Sequence, residues 1–188
     1  MKNLKSIALA LVAFVTLSTT AQVSKKVDAS KSTINWVGKK VTGAHEGTIN
    51  LKEGKLIFNG KKLVGGNFTV DMTSVSTTDL SGGMKEKLDG HLKSDDFFGT
   101  EKFPTATLVF KSIGEKGNGV YTVTADLTIK GKTNSIAFEI TVNGNTATAA
   151  LKVDRTKYDI KYGSGSFFDG LGDKAIYDEF DLTVKLTF

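Results

Sequence analysis

The residues of this chain that could support catalysis are two histidines, His45 and His91, since the sequence contains no cysteine. A histidine can act as a general base near neutral pH when it lies within hydrogen-bond reach of a substrate or a serine. The Gly-x-Ser-x-Gly turn that presents a nucleophilic serine is absent, and the glycine- and serine-rich run 163–166 is more typical of a loop. One hypothesis is therefore a hydrolase-like or isomerase-like enzyme that uses His45 or His91 on an apolar substrate.

A metal site would combine these histidines with Asp71 or Asp79, but the four residues show none of the ligand spacings typical of zinc sites. Aspartates in such positions more commonly cap turns, and the same role is expected of Asp154. We therefore expect neither a metal nor a cofactor.

Three polar residues, Lys39, His45 and His91, are candidates for contact with the polar end of a bound molecule. Each can donate a hydrogen bond to a head group. The alternative is that they belong to a structural hydrogen-bond network, because most buried polar groups have such partners.

Phenylalanine is the more informative residue type, since the chain contains 12, several of them close together in sequence. They either fill a core or line a cavity for an apolar guest. Each buried methylene of a guest gains about 0.8 kcal/mol, so a long hydrocarbon chain can bind without a strong polar contact, before entropic costs are subtracted. The predicted ligand-binding residues are Ile34, Trp36, Lys39, His45, Phe68, Val70, His91, Leu92, Phe97, Phe98, Phe103, Phe110, Leu127 and Phe138.

Most of the chain consists of short runs that alternate polar and apolar residues, the period of half-buried strands. Turn signals such as Asn59-Gly60 and Asn143-Gly144 separate these runs. Hairpins without long intervening helices predict an all-β fold with an antiparallel sheet, either a sandwich or a closed barrel of about eight strands. We favour the extended antiparallel β-barrel, because closure removes exposed strand edges.

One stretch departs from this alternation. Met84, Leu88 and Leu92 are spaced by four and predict a short helix near residues 80–93, with one apolar face. The helix is either a lid on the barrel or an ordinary connector that packs on the sheet. Two further local predictions are a turn at Glu53-Gly54 and a loop from Thr73 to Gly83.

The N-terminus has the pattern of a secretory signal peptide, residues 1–21, cut after Ala21. Two lysines precede an apolar run, Ile7 to Leu17, that is too short to span a bilayer. Residues 22–188 are then expected to form one exported domain, periplasmic or secreted. The formal net charge of +5 includes a single arginine and no basic stripe, which argues against nucleic-acid binding. The oligomeric state stays open.

Several segments resemble the YceI-like family of polyisoprenoid- and lipid-binding proteins, and the likeness spans nearly all of residues 22–188. They are Trp36–Lys39, Gly43–Gly47, Phe68–Met72, Leu88–Phe98, Phe103–Ala106 and Asp126–Gly131. The resemblance implies a lipocalin-like barrel that holds an isoprenoid or other lipid for transport, storage or sequestration, without enzymatic activity. Such a role is compatible with transient contact with a membrane or a membrane protein.

The segment that begins at Arg155 follows the family pattern Arg-x-x-Phe-Gly only loosely, with Tyr158-Asp159 in place of Phe-Gly. This departure concerns one end of the expected cavity. A third hypothesis is a stress-response or interaction protein whose barrel is filled by its own side chains.

Overall fold

A computed structural model describes residues 21–188 of the protein. The predicted signal peptide, apart from Ala21, lies outside the described residues. The strands and the helix are β1 (Gln22–Lys26), β2 (Thr33–Lys40), β3 (Gly43–Asn59), β4 (Lys62–Thr77), α1 (Gly82–Lys93), β5 (Thr105–Gly117), β6 (Val120–Ile129), β7 (Lys132–Asn143), β8 (Thr146–Asp154) and β9 (Ile176–Thr187). No helix within the described range has the length and apolar content that a membrane span requires.

The sheet closes on itself, because β2 pairs with β9 on one side and β3 on the other, while β3 also pairs with β4. Every pairing between these strands is antiparallel. The short strand β1 continues the line of β2 along the second half of β3, so the ring contains eight strands. The predicted closed antiparallel barrel with one short helix is confirmed, and the sandwich is excluded.

The two ends of the barrel differ in their connections. The lower end carries the short β3–β4 and β7–β8 turns, where Gly60 and Gly144 adopt positive φ angles of 59° and 57° as the Asn-Gly signals predict. The upper end carries the β2–β3 turn, α1 with the segment after it, and the long β8–β9 connection. Phe58 and Leu63 are buried beside the β3–β4 turn and, with Val27, belong to the apolar core.

The predicted turn at Glu53-Gly54 was wrong, and the predicted loop from Thr73 to Gly83 is confined to residues 78–81, because strands continue further than predicted. The strand β3 runs through Glu53-Gly54 with a register shift instead of a turn, and β4 extends to Thr77. At Gly54 the explanation is a ring contact, since an added Cβ would lie 2.4 Å from Cδ1 of Phe68. The missing side chain at Gly54 therefore leaves room for the ring of Phe68 to pack on the backbone of β3.

The helix α1 lies against β4, as a connector would, but its apolar face is smaller than predicted. Of the three apolar residues spaced by four, Leu92 is 8% exposed while Met84 is 69% exposed. A polar contact supplements this packing, since Asp89 accepts hydrogen bonds from the Thr77 amide and the Lys85 amine, both at 2.7 Å. The helix is thus held partly by a half-buried carboxylate.

Candidate functional site: the barrel cavity

The barrel interior contains a cavity of about 180 Å³. This figure is the volume in which the centre of a water molecule can lie. One water needs only about 10–15 Å³ on this measure. The cavity extends from the upper end, beside Phe97 and Phe98, to Ile140 and Leu186 near the lower end. The interior is therefore a hollow with an apolar wall, and its own side chains do not fill it.

Ten of the predicted ligand-binding residues line this cavity. They are Ile34, Trp36, Phe68, Val70, Leu92, Phe97, Phe98, Phe110, Leu127 and Phe138. They come from β2, β4, β5, β6 and β7, together with the end of α1 and the residues that follow it. Their contact with a ligand stays a prediction.

Glycines on neighbouring strands let the aromatic rings lie along the barrel wall. Trp36 lies opposite Gly47, and a Cβ added there would be 2.6 Å from the indole Cζ2. Likewise, a Cβ added to Gly66 would lie 2.8 Å from Cε2 of Phe110. Because each ring occupies the space of a missing side chain, it leaves the centre of the barrel open.

The upper end is covered by the segment after α1 more than by α1 itself. Phe97 and Phe98 contact each other with ring centroids 5.1 Å apart, and Phe98 reaches Phe180 on β9 at 6.4 Å. Phe103, also predicted to bind the ligand, does not line the cavity. Its ring lies over the β6–β7 turn, where an added Cβ on Gly131 would be 3.0 Å away.

The three predicted head-group residues also lie outside the cavity. Lys39 points away from the interior, because it alternates with Trp36, and its amine is 2.7 Å from the Asp181 carboxylate. His45 is at the upper rim, with Nδ1 2.9 Å from the Asp79 carboxylate. Burial opposes ionisation of Asp79, but hydrogen bonds from His45 and the Glu46 amide keep its pKa below the ordinary value.

His91 packs among aromatic rings instead of facing the cavity. Its ring centroid is 4.5 Å from that of Tyr162 and 5.6 Å from that of Phe97. Its Nε2 is buried and has no hydrogen-bond partner among the described residues. The sequence positions of Lys39, His45 and His91 near apolar motifs did not reveal where these three side chains point.

The buried charged group at the cavity is Arg155, which was not among the predicted ligand-binding residues. Only 2% of its surface is exposed, and it lines the upper end. Its guanidinium donates to the carbonyl oxygens of Tyr177, Ile160 and Ile176 at 3.1, 2.8 and 3.0 Å. Burial lowers the pKa of Arg155, although nearby carboxylates favour the charged form. Two signals in the sequence pointed to it: it is the sole arginine in a chain otherwise rich in lysine, and it begins the segment that loosely follows the family pattern Arg-x-x-Phe-Gly.

The cavity reaches the surface at a β-bulge between β2 and β9. Gly38 pairs with Phe180 and Lys40 with Ile176, so residues 177–179 face Lys39 alone. Tyr177 is 54% exposed and yet lines the cavity. We call this opening, formed by Gly38, Ile176, Tyr177 and Glu179, the mouth. Bulges at barrel rims commonly redirect side chains in this way.

Other wall residues were absent from the predicted set although their alternation was visible. They include Leu51, Met72, Ile140, Ala149, Leu151, Phe180, Leu182, Val184 and Leu186. Alternation shows which residues share a face of a strand, but it does not show which face is enclosed.

A closed antiparallel barrel with an apolar hollow and a mouth at one end has the architecture of barrels that can enclose one small ligand. The chain belongs to the YceI-like domain family, whose model matches residues 26–188. The resemblance inferred from the sequence motifs is thereby confirmed.

Individual proteins are similar to this chain in sequence or in fold. The crystal structure of BcnA from Burkholderia cenocepacia has 27% sequence identity and a TM-score of 0.69, covering 86% of this chain and 99% of BcnA. A polyisoprenoid binding domain from Saccharophagus degradans shares the fold with a TM-score of 0.57 at 17% identity, covering 86% of this chain and 95% of that one. A UPF0312 protein from Shewanella denitrificans is 36% identical over 93 residues, which cover 50% of this chain and 47% of that relative, about half its length.

Proposed function

We propose that this protein binds one long-chain lipid of the polyisoprenoid type inside its barrel, and carries or sequesters that lipid outside the cytoplasm. The observation that carries the proposal is the continuous apolar cavity, whose wall is formed by side chains of eight strands. Roughly ten buried methylenes would gain about 8 kcal/mol before entropic costs, and each further buried methylene adds to that gain, so the apolar wall favours a long hydrocarbon chain over a short one. The ligand class follows the Saccharophagus domain of the same fold.

The polar end of the ligand would lie near Arg155 at the upper end. Three backbone carbonyls already accept hydrogen bonds from this side chain, and the Asp178 carboxylate is 3.6 Å away. A phosphate near Arg155 would be repelled by the Asp178 carboxylate while it is attracted by the guanidinium. An uncharged oxygen, such as a hydroxyl or a carbonyl, suits this end better because it accepts one hydrogen bond without adding charge.

The proposed activity is binding and release without chemical change. His45 and His91, the candidate general bases, both point away from the cavity wall, so a lipid in the cavity would not be within reach of either ring. Export is proposed from the signal-peptide pattern of residues 1–21.

The decisive experiment compares Ala149→Phe with Ala150→Phe. Ala149 lines the cavity, whereas its neighbour Ala150 is exposed on the outer face of β8, so the same substitution fills the hollow in one case only. Purified proteins are extracted with organic solvent, analysed by mass spectrometry, and offered a long-chain isoprenol. The proposal requires stoichiometric lipid in the wild type and in Ala150→Phe, and a loss of about tenfold or more in Ala149→Phe.

Reproducible absence of lipid from the wild type, with no uptake of the added isoprenol, would overturn the proposal. It would favour the third hypothesis of an interaction protein.

A further inference from the structure

We propose that the protein docks on a lipid bilayer by inserting Phe167 and Phe168 beside the mouth. The inference rests on the proposed function, since a bilayer is where a long-chain lipid would be collected or delivered. The two side chains are 49% and 51% exposed, at the tip of the loop formed by residues 163–170. Two adjacent, half-exposed phenylalanines are costly in water and need a partner surface.

The base of this loop is attached to the mouth itself. Ser164 is fully buried and forms a β-bridge with Ile176, a residue of the mouth. The carbonyl oxygen of Ser164 accepts the amide hydrogens of Phe167 and Phe168 at 3.1 and 3.0 Å. The two rings are therefore held outward by a defined turn, directly beside the opening through which a lipid would pass.

Other exposed apolar side chains lie at the same end. Val41 is on the β2–β3 turn, and its amide donates to the Ala175 carbonyl at 3.1 Å, which places that turn against the β8–β9 connection. Tyr162 and Tyr177 are each about half exposed on either side of the loop in sequence. Tyrosine is enriched where proteins meet the lipid–water interface, because its ring is apolar and its hydroxyl is polar. The rim thus has the composition of an interfacial surface.

The charges around the loop indicate that apolar insertion, and not attraction to anionic lipids, would drive docking. The Lys161 amine lies 4.9 Å from the Phe167 ring centroid but also 2.9 Å from the Asp159 carboxylate. The loop itself carries Asp169, and Asp173 and Lys174 follow it. These two lysines and three aspartates give no positive excess, and we expect binding to neutral phosphatidylcholine vesicles that changes little with salt.

The test places a fluorescent reporter at the loop. Phe168→Trp is compared with Val64→Trp, an exposed apolar position at the lower end, and the signal of the wild-type Trp36 is subtracted. Full-length proteins are mixed with phosphatidylcholine vesicles brominated on the acyl chains. Quenching at position 168 but not at 64 is expected. Partition to the vesicles should fall about tenfold in the Phe167→Ser/Phe168→Ser double variant, since each buried ring contributes a large apolar area.

The outcomes separate this inference from the proposed function. Equal absence of quenching at positions 168 and 64, in protein that still yields lipid on extraction, overturns docking and leaves lipid binding intact. Quenching confined to position 168 in protein that neither holds nor takes up lipid supports docking and overturns the carrier role. Partition that is unchanged in the double variant also overturns the proposal. So does binding that requires anionic lipid and disappears at high salt, because that would assign docking to another surface.

Discussion

The guanidinium nitrogen Nη2 of Arg155 and the carboxylate oxygen Oδ1 of Asp178 lie 3.6 Å apart at the upper end of the cavity. Burial opposes ionisation of Asp178, but hydrogen bonds from Ser164 and Ser166 and the charge of Arg155 keep its pKa below the ordinary value. The pair joins the start of the β8–β9 connection, where Arg155 lies, to β9, where Asp178 lies beside the mouth.

Removal of Arg155 should be strongly destabilising. Arg155→Ala leaves three carbonyl oxygens without their buried donor and Asp178 without its nearby positive charge, and we expect a loss of about 3 kcal/mol in the free energy of unfolding. Arg155→Lys should restore little, because an ammonium cannot reproduce the planar fork. Urea denaturation measures the effect. In the control Lys152→Ala, which removes exposed ion pairs with Asp181 and Glu179, a much smaller change is expected because solvent screens these pairs. Equal effects of the Arg155→Ala and Lys152→Ala substitutions would contradict the assignment.

Asp89 should make stability depend on acid pH. Burial opposes its ionisation, but hydrogen bonds from Lys85, Thr77 and Ser76 outweigh burial and lower its pKa from 3.8 to about 2. The folded pKa lies below the unfolded pKa, so the contribution, about 2 kcal/mol, is complete above the unfolded value and is lost as the pH falls toward about 2. Asp89→Asn should therefore be less stable than the wild type at neutral pH, by a difference that shrinks between about pH 4 and pH 2.

Unfolding of both proteins by urea across that range measures the difference. Asp126→Asn, which removes an exposed partner of Lys111, serves as the control and should cost less than about 1 kcal/mol. A difference between wild type and Asp89→Asn that stays constant with pH would show that the hydrogen bonds act independently of the charge.

The contact between Trp36 and Gly47 should be sensitive to a single methyl group. In Gly47→Ala the new Cβ would lie 2.0 Å from the Ser76 carbonyl oxygen and 2.6 Å from the indole, so the ring must move toward the cavity. We expect a loss of about 2 kcal/mol and a reduced lipid content. Because Trp36 is the sole tryptophan, its fluorescence reports the movement directly. Gly114→Ala on β5 is the matched control, since an added Cβ there meets nothing within 4 Å. An unchanged emission spectrum in Gly47→Ala would rule out the displacement.

Replacement of both histidines should leave lipid binding intact. His45→Gln/His91→Gln removes the ring nitrogens that an enzyme would use, while neither side chain lines the cavity. We expect the extracted lipid per protein to stay within about twofold of the wild type, since the apolar wall supplies the binding free energy. Mass spectrometry of extracts provides the measurement, and circular dichroism checks that the variant is folded. Loss of lipid from a folded double variant would assign the histidines a direct role in binding.

Residue patterns were sufficient for the antiparallel strands and the short helix of this protein, but they left both a sandwich and a closed barrel open. Period-two alternation, Asn-Gly turns at residues 59–60 and 143–144, and one stretch of period four predict these elements, as observed. These signals are local, because side-chain period and turn conformation depend on neighbouring residues. The same patterns made Phe68, Phe97 and Phe138 candidates for the wall before any contact was known.

Strand register and closure of the barrel determined which side chains face the cavity and where the mouth lies. Whether Lys39 or Trp36 faces inward depends on how β2 pairs with β9, and the bulge that forms the mouth is a property of that pairing alone. Gly54 resembles a turn residue until the ring of Phe68 is placed over it. Arg155 is held at the cavity by hydrogen bonds to the carbonyl oxygens of residues 160, 176 and 177, which only the tertiary structure brings together. The physical reason is that a strand's two faces are equivalent in sequence period, and only the packing of distant strands determines which one encloses the hollow.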